Sequence, residues 1–271
     1  MALLPGQWTL ANLRTLIRQE CDMVNSQFIT DAEFNSYIAY SQLELYDLLV
    51  QKYGNDYYSA LDSNANEYRI TTDGVNDHFK LPDGSATYTF PDASTCPPFY
   101  KLLGVDLYLN GTNKSSRINV YPFSYAERNK FSAPNLPAWG GRLRLQYRLE
   151  GGVASSVTVP APAYLWLVPL PSNGQTVGVR YVPRLTPVAN DTDVADGVSG
   201  WEEYIVVDVA IKALAKEESD PSVMMARKMA LLKRIEEASE NRDVGSPATV
   251  ADVRDDFGRG GSWGPWSGGP Y

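Results

Sequence analysis

Apolar positions recur every three to four residues at both ends of this chain and every second residue between them. Over residues 9–22, Leu10, Leu13, Leu16 and Ile17 share one helical face. A second helix is predicted over 31–53. Its start places Thr30 and Glu33 at capping-box spacing and Ile29 and Phe34 at the hydrophobic-staple positions. Gly54 offers a left-handed stop at its end. This helix carries two stripes, Phe34, Ile38, Leu45, Leu48 and Leu49 on one face and Leu43, Tyr46, Val50 and Tyr53 on a neighbouring one. A helix covered on one side needs a single stripe. The second implies either a cover from another subunit or burial deep within one bundle, and the four residues of that stripe are candidate subunit-interface positions.

From residue 55 the period shortens to two. Residues 67–71 and 78–81 alternate around Asp73-Gly74, as a hairpin would. Residues 105–109 and 117–121 flank Asn110-Gly111, a dipeptide suited to positive φ. Leu143, Leu145, Tyr147 and Leu149 alternate with Arg142, Arg144, Gln146 and Arg148, and residues 164–168 and 177–182 bracket an Asn173-Gly174 turn. Short strands punctuated by proline and glycine predict an antiparallel sandwich or barrel. Helical spacing returns with Ser199 and Glu202 as a second capping box, Trp201, Ile205, Val209 and Ala213 on one face, and Asp220-Pro221 opening a last helix that fades near Asn241. The expected fold class is therefore α+β: an α-helical bundle (1–54 and 199–243) interrupted by an antiparallel β insertion (55–198), with an extended C-terminal tail (244–271).

The tail differs from the rest. Six of the 21 glycines fall in residues 257–271, beside Phe257, Trp263, Trp266 and Tyr271. Each large aromatic is worth roughly 1.5–3 kcal/mol when buried, so a flexible backbone carrying four of them reads as a segment that orders on a partner. Folding back on its own domain and remaining disordered are the alternatives.

Composition narrows the chemistry. With one histidine, His78, and two cysteines, Cys21 and Cys96, no Cys/His zinc site or disulfide framework can be built, and a Ser-His-Asp triad would have to use His78. The net charge is −8, which excludes a generally basic surface for gripping nucleic acid. The two helical blocks contribute −3 each, the β insertion −1 and the tail −1. Asp191, Asp193 and Glu202 fall at calcium-loop positions, but Ala195 and Asp196 stand where a ligand and a turn glycine belong. Arg142, Arg144 and Arg148 share one strand face and are candidate contacts for DNA phosphates or an acidic partner, or the solvated side of a sheet. Adjacent carboxylates such as Glu202-Glu203 and Glu236-Glu237 point apart on helices. Neither a secretory signal at the start nor a run of about 18 apolar residues is present. The cysteines thus read as reduced thiols, and the Asn-x-Ser/Thr triplets at Asn110, Asn113 and Asn190 as chance matches. No cofactor, metal or catalytic residue is expected.

The segments Leu10-Ala-Asn-Leu-Arg, Phe28-Ile-Thr-Asp-Ala-Glu-Phe-Asn-Ser-Tyr-Ile, Val179-Arg-Tyr-Val-Pro-Arg-Leu, and Trp201-Glu-Glu-Tyr-Ile-Val-Val-Asp-Val-Ala-Ile-Lys-Ala-Leu-Ala-Lys-Glu-Glu-Ser-Asp resemble tailed-bacteriophage head-to-tail adaptor (connector) proteins. The resemblance covers the helical pairs well and the β insertion in outline. It implies a virion structural protein, made in the host bacterial cytoplasm, that forms a homo-oligomeric ring, typically dodecameric, below the portal and above the tail or nozzle protein. Such a ring continues the channel for double-stranded DNA, has no catalytic residues and touches no membrane. Phe257, Trp263, Trp266 and Tyr271 would dock on the portal or on the lower tail component. Two other classes compete: a carbohydrate-binding or host-recognition β-sandwich rich in Tyr and Trp, and a hydrolase with two carboxylates about 5–9.5 Å apart.

Overall fold

A computed structural model of the chain describes residues 8–26, 28–53, 58–126, 145–152, 162–195 and 200–240. Helix α1 (Leu10–Glu20) starts at Thr9, whose hydroxyl accepts the Asn12 amide at 3.3 Å. Helix α2 (Asp31–Tyr53) opens on the reciprocal pair read from the sequence. The Thr30 amide donates to Glu33 at 3.0 Å, the Glu33 amide donates to the Thr30 hydroxyl at 3.3 Å, and the staple residues Ile29 and Phe34 are buried. Helix α3 (Glu202–Lys216) starts later than its spacing predicts. Its N-cap is Trp201, without a side-chain cap, and the Glu202 carboxylate accepts the Gly200 amide. Ser199 and Gly54 lie outside the described residues. Helix α4 (Ser222–Glu240) opens as expected, with Asp220 accepting the Ser222 amide at 2.9 Å.

All four helices contribute to one core, including Leu10, Leu13 and Ile17, Phe34 and Ile38, Ile205 and Val209, and Ile235. Helix α3 is its centre. Residues 204–210 are buried without a break, the condition of a helix covered on every side.

The described residues in the middle of the chain form eight strands: β1 (Tyr68–Thr71), β2 (His78–Lys80), β3 (Phe99–Tyr108), β4 (Arg117–Asn119), β5 (Tyr121–Pro122), β6 (Gln146–Gly151), β7 (Ala163–Val168) and β8 (Thr176–Pro183). They make two four-stranded sheets, ordered β1-β8-β3-β4 and β2-β7-β6-β5, antiparallel apart from the short β5–β6 pair. No closed barrel forms among the described residues. Inward side chains of both sheets, such as Ile70, Val105, Val177 and Val179 from the first and Leu165 and Leu167 from the second, belong to one core.

Two pairings differ from the sequence reading. Residues 67–71 and 78–81 do not form a hairpin, nor do 164–168 and 177–182: β1 pairs with β8 (Tyr68 opposite Val179) and β2 with β7 (His78 opposite Trp166). Asp73-Gly74 and Asn173-Gly174 carry the chain from one sheet to the other. Gly74 (φ 74°) and Gly174 (φ 77°) hold left-handed backbone there. The corners touch: Thr72 donates its amide to Gln175 at 2.9 Å, and Gly174 donates to Thr72 at 2.8 Å. One two-stranded ribbon thus bends across both sheets, a corner geometry known where strands switch sheets. The β3–β4 pairing is as read, with Asp106 opposite Asn119, but a 3-10 turn at Lys114–Ser116 lengthens its loop.

The second stripe of α2 meets the β region. Tyr46 and Val50 are buried against Val182, with Leu103, Leu185 and Tyr58 packed around them, and the Tyr46 hydroxyl donates to the Pro183 carbonyl. For these two residues the cover comes from the chain's own sheet. Leu43 and Tyr53 are half-buried.

Candidate interaction faces

The densest polar constellation joins α2, α3 and α4. Asp208, 3% exposed, accepts from Lys212 at 2.5 Å, from Lys228 at 2.8 Å and from the Ser41 hydroxyl. Glu44 accepts from Tyr204 at 2.7 Å and from Lys228 at 2.9 Å. Burial alone would push the Asp208 carboxyl up, but the bonds from Lys212, Lys228 and Ser41 outweigh it and hold it below the ordinary range. Burial likewise opposes the Lys228 charge, yet Asp208, Glu44 and Tyr204 raise its pKa. Lys212 donates to Ser41 at 2.9 Å, a pairing found in serine nucleophiles activated by lysine. Here the hydroxyl is fully buried and spent on Asp208. Two acids and two bases in mutual contact fasten three helices together.

The outward face of the β1-β8-β3-β4 sheet carries a second buried carboxylate. Glu67 takes the Tyr108 hydroxyl and lies 3.4 Å from Arg117 and 3.9 Å from Arg180. Its Oε2 has no hydrogen-bond partner. Burial works against its charge, but Tyr108, Arg117 and Arg180 prevail and lower its pKa. A Cβ at Gly178 would come within 2.9 Å of both Glu67 and Tyr108, so glycine leaves the space that Glu67 occupies. Arg69 stacks over Tyr108 at 5.0 Å.

The outward face of the other sheet is aromatic. His78 stacks on Trp166 with ring centroids 5.1 Å apart, and Phe123 and Tyr125 flank the same indole at 5.1 and 6.1 Å. Asp77 accepts the Trp166 indole N–H at 3.1 Å and contacts His78 Nδ1 at 2.6 Å, while Glu150 lies 3.4 Å from His78 Nε2. Arg148, on β6, sits over the Tyr125 ring at 4.9 Å and 3.4 Å from Glu150. It does project outward from its strand, but these neighbours engage part of its guanidinium. Arg142 and Arg144 lie outside the described residues, as do Phe257, Trp263, Trp266 and Tyr271.

Other expectations resolve locally. Asp191 pairs with Arg14 at 2.6 Å, and Asp193 accepts the Ala189 and Asn190 amides, so the calcium-like run is occupied by structural bonds. Among the described residues no cluster of acids, His and Cys fits a metal ion, and no helix is long and apolar enough to cross a membrane. Glu203 pairs with Arg227, Glu236 with Lys52 and Glu237 with Lys233, so neighbouring carboxylates face different partners. Cys21 and Cys96 are free and buried in different cores; burial pushes both thiols up to about 11.

Sequence reasoning missed Glu67, Tyr108 and Arg180 as a group. The alternation of residues 67–71 puts Glu67 and Arg69 on one face, but nothing local says that β8 and β3 lie beside them. No family model matches the chain, and no curated protein matches it.

Proposed function

We propose that this chain is a structural adaptor subunit: identical copies form a ring that joins a phage portal to the tail and extends the DNA channel. The observation that carries the reading is where the connector-like segments fall. Residues 10–14 lie in α1, 28–38 cover the start of α2, and 201–220 span α3 and the turn after it; they pack into one core although a whole β region separates them in sequence. In this reading the four helices are the bundle of the adaptor and the two sheets its inserted β-sandwich. The acidic helical blocks, at −3 each, suit a channel wall that does not retain passing DNA. The aromatic tail is the anchor on a neighbouring ring.

Negative-stain imaging of the purified protein, alone and mixed with the portal protein of the same phage, tests this. Rings seated on the portal are expected; particles that form no ring in either sample would sink the proposal. Deleting residues 258–271 should weaken docking while leaving the circular-dichroism spectrum unchanged. Undiminished docking would remove the anchor role.

A second reading, glycan recognition, is favoured by one feature: the Trp166 and Tyr125 rings with Asp77 and Glu150 at their rim. It predicts saturable binding to a glycan array that Tyr125→Ala abolishes.

A further inference from the structure

Beside the Glu67 cluster, the outward face of the first sheet holds a hollow of about 510 Å³. Leu61 and Leu103 give it apolar walls, and Ser59, Asp106, Asn119 and Arg180 give it polar ones. Gly104 completes the lining, and a Cβ built there would meet no atom within 4 Å.

Three features define what fits. The first is an under-used cation. Arg180 is 46% exposed, and its ionic partner among the described residues is Glu67, at 3.9 Å, too far for a hydrogen bond. The second is a strand edge with no strand beside it among the described residues. Strand β4 pairs with β3 at residues 106–108, and the Val120 amide adds a bond to the Val105 carbonyl. From Gly104 back towards Tyr100, β3 has β8 on one side and no strand on the other among the described residues. Such an edge is a template for an added strand. The third is the charge pattern. Asp106 lines the same hollow as Arg180 and already has Arg117 at 3.6 Å, and Glu67 is buried behind them. A polyanion would set its phosphates against two carboxylates. Among the described residues, Arg180 is thus the cation left without a close partner at the hollow. A single carboxylate satisfies it, and a carboxylate carried on a main chain that can lie along a strand is an acidic residue within a peptide.

We propose that this hollow binds an extended acidic segment of a partner protein, its carboxylate forked on Arg180, its main chain beside this edge of β3, and an aliphatic neighbour against Leu61 and Leu103. The proposal does not depend on ring formation.

Fluorescence anisotropy on the full chain tests it, with a fluorescein-labelled Val-Glu-Val-Glu-Val peptide as probe and Val-Lys-Val-Lys-Val as control. The acidic peptide should bind saturably and the basic one should not. Arg180→Ala should weaken binding about tenfold, because it removes a charge-assisted, two-pronged contact, with Arg180→Lys falling between. Gly104→Leu, which fills the hollow from a backbone that needs no positive φ, should abolish binding, whereas Arg148→Ala on the other sheet should not change it. Thermal unfolding of each variant at the wild-type temperature shows that the fold is kept. No saturable binding, equal binding of the basic peptide, or affinity indifferent to Arg180→Ala and Gly104→Leu would overturn the proposal. Free glutamate competing as well as the peptide would overturn it in favour of an amino-acid site.

Discussion

The helical and β regions each bury a carboxylate, and they treat it in opposite ways. Asp208 is surrounded by Lys212, Lys228 and Ser41, each donating to it. Glu67 is as deeply buried, but its Oε2 has no hydrogen bond; Arg117 reaches only its other oxygen, at 3.4 Å, and Arg180 stands 3.9 Å off. A fully paired buried charge fastens its surroundings, whereas a partly paired one leaves interaction energy unspent at the surface. The Asp208 cluster thus fastens the helical region, and the less fully paired Glu67 cluster lies beside the hollow proposed to take a partner segment.

The largest effect should come from breaking the paired cluster. Asp208→Ala takes from Lys212 and Lys228 the acid they share, leaving them Glu44 and Ser41, and should cost about 3 kcal/mol in urea unfolding followed by circular dichroism. A loss under about 1 kcal/mol would show that solvent already screens the cluster. Acid probes the same group. Its folded pKa lies below the ordinary 3.8, so its contribution is complete above that value and disappears as pH falls through the lowered one. The stability gap between wild type and Asp208→Asn should therefore be constant near neutrality and close below about pH 4; a gap that widens in acid would reverse the sign assigned here.

Glu67→Gln should cost less, about 1–2 kcal/mol, since the amide still accepts from Tyr108 and only the attraction to half-exposed arginines is lost. Equal losses for Asp208→Ala and Glu67→Gln would erase the contrast between the two regions. The smallest effect belongs to Thr30→Ala, which removes one half of the capping box and should cost about 1 kcal/mol.

The same contrast governs what could be read from sequence. Helix signals are local: Thr30, Glu33, Ile29 and Phe34 lie within six residues, and their bonds form where the spacing puts them. The β3–β4 pairing was legible for that reason too. The sheets were not, because Asp73-Gly74 and Asn173-Gly174 have the local chemistry of hairpin turns while the strands they follow pair with distant partners. Positive φ is required equally by a hairpin and by a corner between sheets, so the dipeptide does not distinguish them. Of the stripe Leu43, Tyr46, Val50 and Tyr53, only Tyr46 and Val50 are buried against the sheet, while Leu43 is half-buried and Tyr53 packs on the helical core. The cover at Tyr46 and Val50, Val182 of β8, is more than 100 residues away, and no local signal names it. The partly paired Glu67 was hidden likewise, since three separate strands assemble around it.

The most direct test of the adaptor reading is a mass measurement by mass photometry on the purified chain mixed with assembled portal. The portal particle should gain one 30.0 kDa subunit for each portal subunit. A portal of unchanged mass beside free 30.0 kDa monomers would contradict that reading.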